Sequence, residues 1–353
     1  MAEHPPGILR VIDFGRVPPL RSQTLWHAVA TGVSQGAPPT LSFARPDAPY
    51  VCLGYHRALD EVDGEYCRAH GLPVYRRMVG GGPVYLDDGQ LFFQITLPAA
   101  AVSPARAKAL RALLGPAVEA FRAAGVDARL DENAEICAGE AKVCGHGAGQ
   151  IDGAVVLCGN LIERFDHGRA TDVLGLRDAE HRAQTLALMR RYVAATPADP
   201  AAFARALAGA YARALCLAAV PGELTSAEAA AVGELDGLFT SEEWLRGPGR
   251  PAGGPAAGAG GPAPWPARQV KVRAGVWTFA AGGEGGARVV ASVVRGVIER
   301  AWLSAPGLNG GAERARRAVT GIPLREAPAA LARFGAPGRH LAAAFAAADG
   351  SRL

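Results

Sequence analysis

The sequence predicts a mixed helix-and-strand protein of the α+β class, built as one large unit and one small one. Three observations point there. At 353 residues the chain is too long for a single small module. With 49% of residues apolar and 20% charged it can bury a substantial core, and wholesale disorder is excluded. Finally, short β-type runs and helical-period runs interleave up to residue 246. There a stretch made almost only of Gly, Ala and Pro (247–266) separates them from a compact C-terminal segment (267–353).

The elements follow in order. ILRVIDF (8–14) alternates as an opening strand, and 20–36 carries apolar residues at helical spacing before a glycine. Two short strands at 41–43 and 50–53 flank a Pro/Asp turn, an acidic helix covers 59–70, and 73–77 forms another strand. That strand runs into Gly80-Gly81-Gly82-Pro83 and out through Val84-Tyr85, ahead of an aromatic strand at 91–97. The clearest amphipathic helix spans 104–124 and stops at Gly125. Strands are expected at 134–137, 141–144 and 155–161, and helices over 171–195, 200–218, 224–238 and 241–245. The C-terminal segment predicts strands at 270–272, 276–279 and 289–294. Helices are expected there at 312–320 and 329–347, the last broken near Gly335–Gly338. No internal repeat is apparent.

Composition narrows the function classes. The net charge of +4 is spread thinly and no basic run marks a nucleic-acid stripe. No apolar stretch is long enough to span a membrane, and the N-terminus lacks a secretory pattern, so a cytoplasmic protein is expected. The six cysteines have no CxxC spacing and read as small buried hydrophobes. Of 37 basic residues only Lys108, Lys142 and Lys271 are lysines, so each stands where arginine was not used in its place.

Two segments can carry chemistry. In Arg76-Arg77-Met78-Val79-Gly80-Gly81-Gly82-Pro83-Val84-Tyr85, three glycines follow a strand. Their amides can face an anion, and the arginines add bidentate positive charge. The pattern is neither a Walker loop nor a dinucleotide turn. It fits a phosphate site, and it equally fits a hairpin turn with two solvated arginines. In the second segment, Glu132 to Gly145, Lys142 enters a strand between glycines. It can neutralise charge developing during attack on an acyl or phosphoryl group, or simply face solvent.

Together these segments resemble the lipoate–protein ligase family. The ordered set YVCLGYHRALDEVDGEYC, VYRRMVGGGPVYLDDGQLFFQITL, ENAEICAGEAKVCGHGAG and VVLCGNLIERFD carries the likeness across residues 8–167, and the helical run to Trp244 is similar in layout. The resemblance implies a catalytic domain like those of class II aminoacyl-tRNA synthetases and biotin and lipoate ligases (1–246), followed by the linker (247–266). The segment 267–353 is similar to the small α+β accessory domain of two-domain ligases, though Gly296-Val297-Ile298 departs from a frequent Gly-Asp-Phe.

The implied reaction has two steps. Lipoate and ATP, with Mg²⁺, form lipoyl-AMP and pyrophosphate. A lysine of a carrier protein then takes the lipoyl group, the carriers being lipoyl domains of 2-oxoacid dehydrogenase E2 chains, the glycine-cleavage H protein or a related protein. By position, Arg77 and the backbone of Gly82, Pro83, Val84 and Tyr85 would hold nucleotide phosphates and adenylate, with Arg76, Gly80 and Gly81 shaping the loop. Lys142 matches the essential lysine at the lipoate carbonyl and α-phosphate. Asn133 and Glu135 stand at an Asn-Asp pair that binds nucleotide or metal, Glu135 being the candidate Mg²⁺ ligand. Leu86-Asp87 replaces a common His-Asp, and Asn133-Ala134-Glu135-Ile136 departs from Asn-Asp-Ile. His56 stands where relatives often have Gln, and His146 follows the lysine turn; both read more simply as turn residues.

The nearest alternative is an octanoyl or lipoyl transferase on the same fold, whose cysteine would fall where this chain has Asp127, while Cys137 and Cys144 near Lys142 keep a thiolate route open. A non-catalytic lipoyl-carrier-binding relative is the other. A biotin ligase would carry a more basic glycine loop than this one.

Overall fold

The computed structural model describes residues 7–247, 268–308 and 310–350; apart from Gly247, the Gly/Pro/Ala stretch 247–266 lies outside them. The strands are β1 Ile8–Val17, β2 Thr40–Pro46, β3 Tyr50–Leu53, β4 Val74–Arg76, β5 Val84–Leu86, β6 Gln90–Pro98, β7 Ala128–Leu130, β8 Ile136–Ala138, β9 Ala141–Lys142, β10 His146–Ile151, β11 Ala154–Ile162, β12 Ala218–Pro221, β13 Arg268–Arg273, β14 Val276–Gly282, β15 Arg288–Val294 and β16 Val297–Ser304. The helices are α1 Arg21–Ser34, α2 Gly64–Ala69, α3 Arg106–Ala123, α4 His167–Asp172, α5 Ala179–Tyr192, α6 Pro200–Leu215, α7 Ser226–Thr240, α8 Glu242–Arg246, α9 Ala312–Val319, α10 Ala327–Ala332 and α11 Gly335–Gly350. Among the described residues no helix is long and apolar enough to cross a membrane.

Two compact units emerge: residues 1–173 with 194–250, and 174–193 with 251–353. The first is built on a six-stranded sheet in the order β10-β11-β6-β2-β1-β12, with β1 parallel to β2 and β12 and the other pairs antiparallel. Alternation along β6 explains its layers. Leu91, Phe93, Ile95 and Leu97 share one face and pack with Leu114 and Phe121 of α3 and Phe203 and Leu207 of α6. The other face of the sheet meets α1 through Trp26, Val29, Ala30 and Val33. Gly159 pairs with Phe93, whose ring lies 2.3 Å from where a side chain at 159 would begin, so only glycine fits there.

Two small sheets sit on this frame. The order β4-β3-β5 carries the glycine loop between β4 and β5, and β7-β8-β9 carries Lys142.

In the second unit the antiparallel meander β13-β14-β15-β16 has helices on both faces. Phe279, Val289, Ala291 and Val293 pack with α9, α10 and α11. Leu188 and Tyr192 of α5 pack with Val272 and Val276. Thr278 on β14 also meets two α5 side chains, His181 Nε2 at 3.0 Å and Thr185 Oγ1 at 2.8 Å.

The single helix expected at 171–195 is therefore two. Gly175 interrupts it, and Asp178 begins α5 afresh by accepting the amides of Glu180 and His181. Although it lies within the residues 1–246 expected for the large unit, α5 packs on the sheet of the small one. The acidic helix at 59–70 reduces to a 3₁₀ turn at Leu59–Glu61 and α2, capped by Asp63. Strands β7, β10, β12 and β16 go beyond the expectation. The first and third are short, and β10 (HGAGQI) has little β propensity and is a strand because β11 pairs with it. In β16 a register shift breaks the alternation that would have disclosed it. The C-terminal break falls at Arg333–Phe334, just before Gly335 (φ 71°).

Burial holds the pKa of His181 down to about 4 from 6.5, against the raising influence of Asp178. The unfolded chain therefore protonates first, and the stability due to this residue is complete above pH 6.5 and drains as pH falls toward 4. Between pH 7 and pH 5 the second unit is expected to lose about 2 kcal/mol through this group. Hydrogen exchange in β14 and β15 measures it; His181→Gln should flatten the pH dependence, and an unchanged slope would refute it.

Candidate active site

The strand β4 ends on Arg76 and is followed by Arg77, and the two have different destinations, because neighbouring side chains along extended backbone leave opposite faces. Arg76 is wholly buried. Its guanidinium donates to the carbonyls of Gly54, Tyr55 and Arg57 at 2.8–2.9 Å and to those of Trp244 and Leu245 at 2.7–3.2 Å. The Trp244 indole donates back to the Arg76 carbonyl at 2.9 Å. Arg76 thus holds 54–57 and the end of α8 together, beside the loop that it was expected to shape.

Arg77 folds over the glycine loop, donating to the carbonyls of Gly80 (2.8 Å), Gly82 (3.0 Å) and Cys52 (3.0 Å). Gly81 has φ +104°, and its carbonyl oxygen lies 2.0 Å from where a Cβ on Gly54 would stand, so Gly54 must be glycine. These contacts turn the loop's carbonyls inward. The amides of Gly80, Gly81 and Gly82 meet no acceptor among the described residues, leaving three successive donors for an anion. Within the expected stretch Gly82–Tyr85, Pro83 has no N–H to donate. Val84 is exposed, while Tyr85 is buried, and burial raises its hydroxyl pKa.

Lys142 stands on β9, opposite Cys137 of β8. Its Nζ lies 3.1 Å from Oε2 of Glu135, with side-chain exposures of 18% and 7%. Asp131 shapes the turn before it by accepting the amides of Asn133 and Glu135, both at 2.9 Å, and Ala134 takes φ 61°. Asn133 is exposed, so of the expected Asn-Asp-like pair only Glu135 reaches the lysine. Among the described residues no three His, Cys, Asp or Glu side chains gather as a metal site.

The lysine turn and the glycine loop are linked through β10. Gly145 donates to Asn160 Oδ1 at 2.6 Å, and Asn160 donates to Gln90 at 2.8 Å, which ties the turn to β11 and β6. Two residues on, a Cβ at Gly147 would stand 3.7 Å from the Gly80 oxygen, and one at Gly149 would stand 2.9 Å from Val79. The base of the loop therefore lies on the strand into which Lys142 leads. Gly54 and Asn160 went unnoticed in the sequence. The adjacent Leu-Gly-Tyr and Cys-Gly-Asn strings contain them, but no spacing marks them.

The two motif-flanking histidines and the thiols contribute differently. His56 is exposed, edge-on to Tyr55, and His146 opens β10. Asp87, which follows the Leu86 departure, accepts the Gly89 amide in a tight turn. Burial pushes the Cys144 thiol up to about 12 and raises those of Cys52 and Cys158.

A methyl at position 54 must displace the Gly81 carbonyl. Gly54→Ala is expected to cost about 1–3 kcal/mol and to raise hydrogen exchange across 80–85 while β6 stays protected. Unchanged exchange in the loop would contradict the close approach.

Comparison with known proteins agrees with this architecture. Residues 18–195 match the family described as the lipoyl protein ligase A/B catalytic domain. Lipoate--protein ligase 1 of Staphylococcus aureus is 27% identical over 147 residues, 41% of this chain and 44% of that enzyme, so the match spans less than half of that relative's length. Octanoyltransferase LipM of Moorella thermoacetica is 26% identical over 269 residues, 67% of this chain and 97% of that enzyme. The solved structure of a bipartite lipoate protein ligase studied with its E2 lipoyl domain, from Thermoplasma acidophilum, superposes with a TM-score of 0.61 at 25% identity, over 69% of this chain and 97% of that one. With a family match over half its length, beginning before the glycine loop and running past Lys142, the chain belongs to the lipoate ligase family.

Proposed function

We propose that this protein is an ATP-dependent lipoate–protein ligase, which activates lipoate as lipoyl-AMP and passes the lipoyl group to a carrier lysine. The observation that carries the reading is the Lys142–Glu135 pair on the turn leading into the strand beneath a loop with three unengaged amides. In the first step a carboxylate oxygen of lipoate attacks the α-phosphorus of ATP, forming the new C–O–P bond as pyrophosphate leaves. The reactants are two anions, so the protein's part is alignment and positive charge rather than a covalent intermediate. The amides of Gly80–Gly82 and the fixed guanidinium of Arg77 suit the phosphates. The Lys142 ammonium suits the bridging oxygen, moving from Glu135 onto the more negative ligand. In the second step the carrier's neutral lysine amine attacks the carbonyl carbon, the bond from that carbon to the phosphate oxygen breaks, AMP departs with the electron pair and the new amide nitrogen sheds its proton to solvent, with Lys142 again beside the oxyanion.

Mg²⁺ would accompany the ATP phosphates with a carboxylate or two. Glu135 is the available acidic side chain near Lys142, but its present partner is the lysine, so no step is assigned to a metal. Lipoyl domains of 2-oxoacid dehydrogenase E2 chains and the glycine-cleavage H protein are the proposed carriers.

The likeness to an octanoyltransferase favours a second reading, acyl transfer without ATP. That chemistry through a cysteine needs an accessible thiolate. Asp127 occupies the expected position, and Cys144 is buried with its thiol pushed up to about 12. These features support the ligase.

Lipoate-dependent ATP–pyrophosphate exchange is expected for the parent, together with a lipoyl mass gain on a lipoyl domain. Lys142→Ala should lower both by at least about a hundredfold, while Cys144→Ser leaves them near the parent. Transfer from an octanoyl carrier without exchange would establish the transferase instead. Glu135→Gln frees the ammonium but removes its guide, and is expected to lower kcat by about tenfold. Equal kcat in single-turnover measurements would show that the pair is idle.

A further inference from the structure

The backbone just before the glycine loop meets a histidine to which neither motif assigns a role. His27, in the middle of α1, is wholly buried. Its ring stacks on Trp26 with centroids 3.4 Å apart and meets Phe239 edge-on at 4.8 Å. Nδ1 lies 2.7 Å from the Gln23 carbonyl oxygen, and Nε2 lies 3.1 Å from the Met78 amide nitrogen. A carbonyl can only accept and an amide N–H can only donate. The ring must therefore carry its proton on Nδ1 and a lone pair on Nε2. Protonation of both nitrogens would remove the acceptor. Burial prevents that, holding the pKa down to about 3, and the nearby charge of Arg77 acts in the same direction.

Met78 is the residue between Arg77 and the turn into Gly80. The peptide on the other side of Arg77 is also held, by the Trp244 indole on the Arg76 carbonyl. The backbone of Arg77 is thus held on both sides, and its guanidinium is held by the carbonyls of Gly80, Gly82 and Cys52. A phenylalanine would fill the same space beside Trp26 and Phe239, so packing alone does not call for an imidazole here. An acceptor for the Met78 amide does.

We propose that His27 is a positioning residue of the anion loop, accepting the Met78 amide as the Nδ1–H tautomer and so setting the approach of Arg77 and Gly80–Gly82 to the nucleotide phosphates. The proposal rests on the ligase reading for the identity of the ligand, but not for the geometry of the loop.

Two variants separate the ring's two contacts. His27→Gln can place an oxygen near the Nε2 position, whereas His27→Asn reaches only the Nδ1 position. Hydrogen exchange across 76–84 should stay near the parent in the first and rise in the second, with β6 peptides reporting that both are folded. In lipoate-dependent pyrophosphate exchange, the KM for ATP is expected to rise about tenfold in His27→Asn and less than about threefold in His27→Gln, the equivalent of one hydrogen bond lost or kept. In both variants kcat should change little. Imidazole nitrogen NMR of the parent requires no variant to fold and should show Nδ1 protonated and Nε2 bare. A protonated Nε2 would overturn the proposal, as would equal loop exchange in both variants. Loosening of the loop by His27→Asn in a protein whose parent shows no pyrophosphate exchange would uphold the positioning role and overturn the ligase reading.

Discussion

The site is organised around a cation buried among backbone carbonyls. Arg76 cannot shed its proton, so burying it requires its donors to be met, and the carbonyls of 54–57 and 244–245 meet them. Those carbonyls are thereby fixed, and with them Gly54. Because Gly54 admits the Gly81 oxygen at a distance closed to any side chain, fixing one fixes the other. The inward turn of the loop carbonyls, completed by Arg77, is what leaves the amides of Gly80–Gly82 outward. A lysine at 76 would bring three donors on a flexible stem to an array that a planar fork meets from several sides at once.

The acidic partner of Lys142 has a different logic. An ammonium held 3.1 Å from one largely buried carboxylate is neither free to wander nor fully satisfied. The turn that presents the pair is set by backbone devices: the Asp131 side chain on two amides, Ala134 in a left-handed conformation, and Asn160 on Gly145. Precision at the lysine therefore comes from residues that have no chemistry of their own.

Much of this was legible in the sequence because it depends on local rules. The glycine triplet after a strand, the lysine between glycines, and the amphipathic helix that became α3 each announce themselves within a short window. What was not legible depends on contacts between distant segments. Adjacent arginines look alike in a sequence, yet strand alternation sends Arg76 into the interior and Arg77 over the loop. Gly54 is one glycine among 45, and its necessity appears only when Gly81 stands against it. The apolar stripe of α5 shows that a helix must bury a face; it does not say that the face belongs to β13 and β14. His27 sits where helical periodicity demands only something large and buried, and its polar task becomes visible when Met78 is placed above it.

The scarcity of lysine illustrates why such signals need geometry to acquire meaning. If rarity alone marked function, all three lysines would be candidates, yet Lys108 and Lys271 are exposed on an α3 turn and a β13 strand. Lys142 differs in being mostly buried and ion-paired. Burying an ammonium costs several kcal/mol unless a carboxylate and a structured turn compensate, and a surface role would not require that expense. The same reasoning separates Lys142 from the nearby thiols. Burial, which Lys142 meets with an ion pair, instead drives Cys144 toward its neutral form. A single buried environment therefore holds the lysine in an ion pair and the cysteine beside it as a thiol.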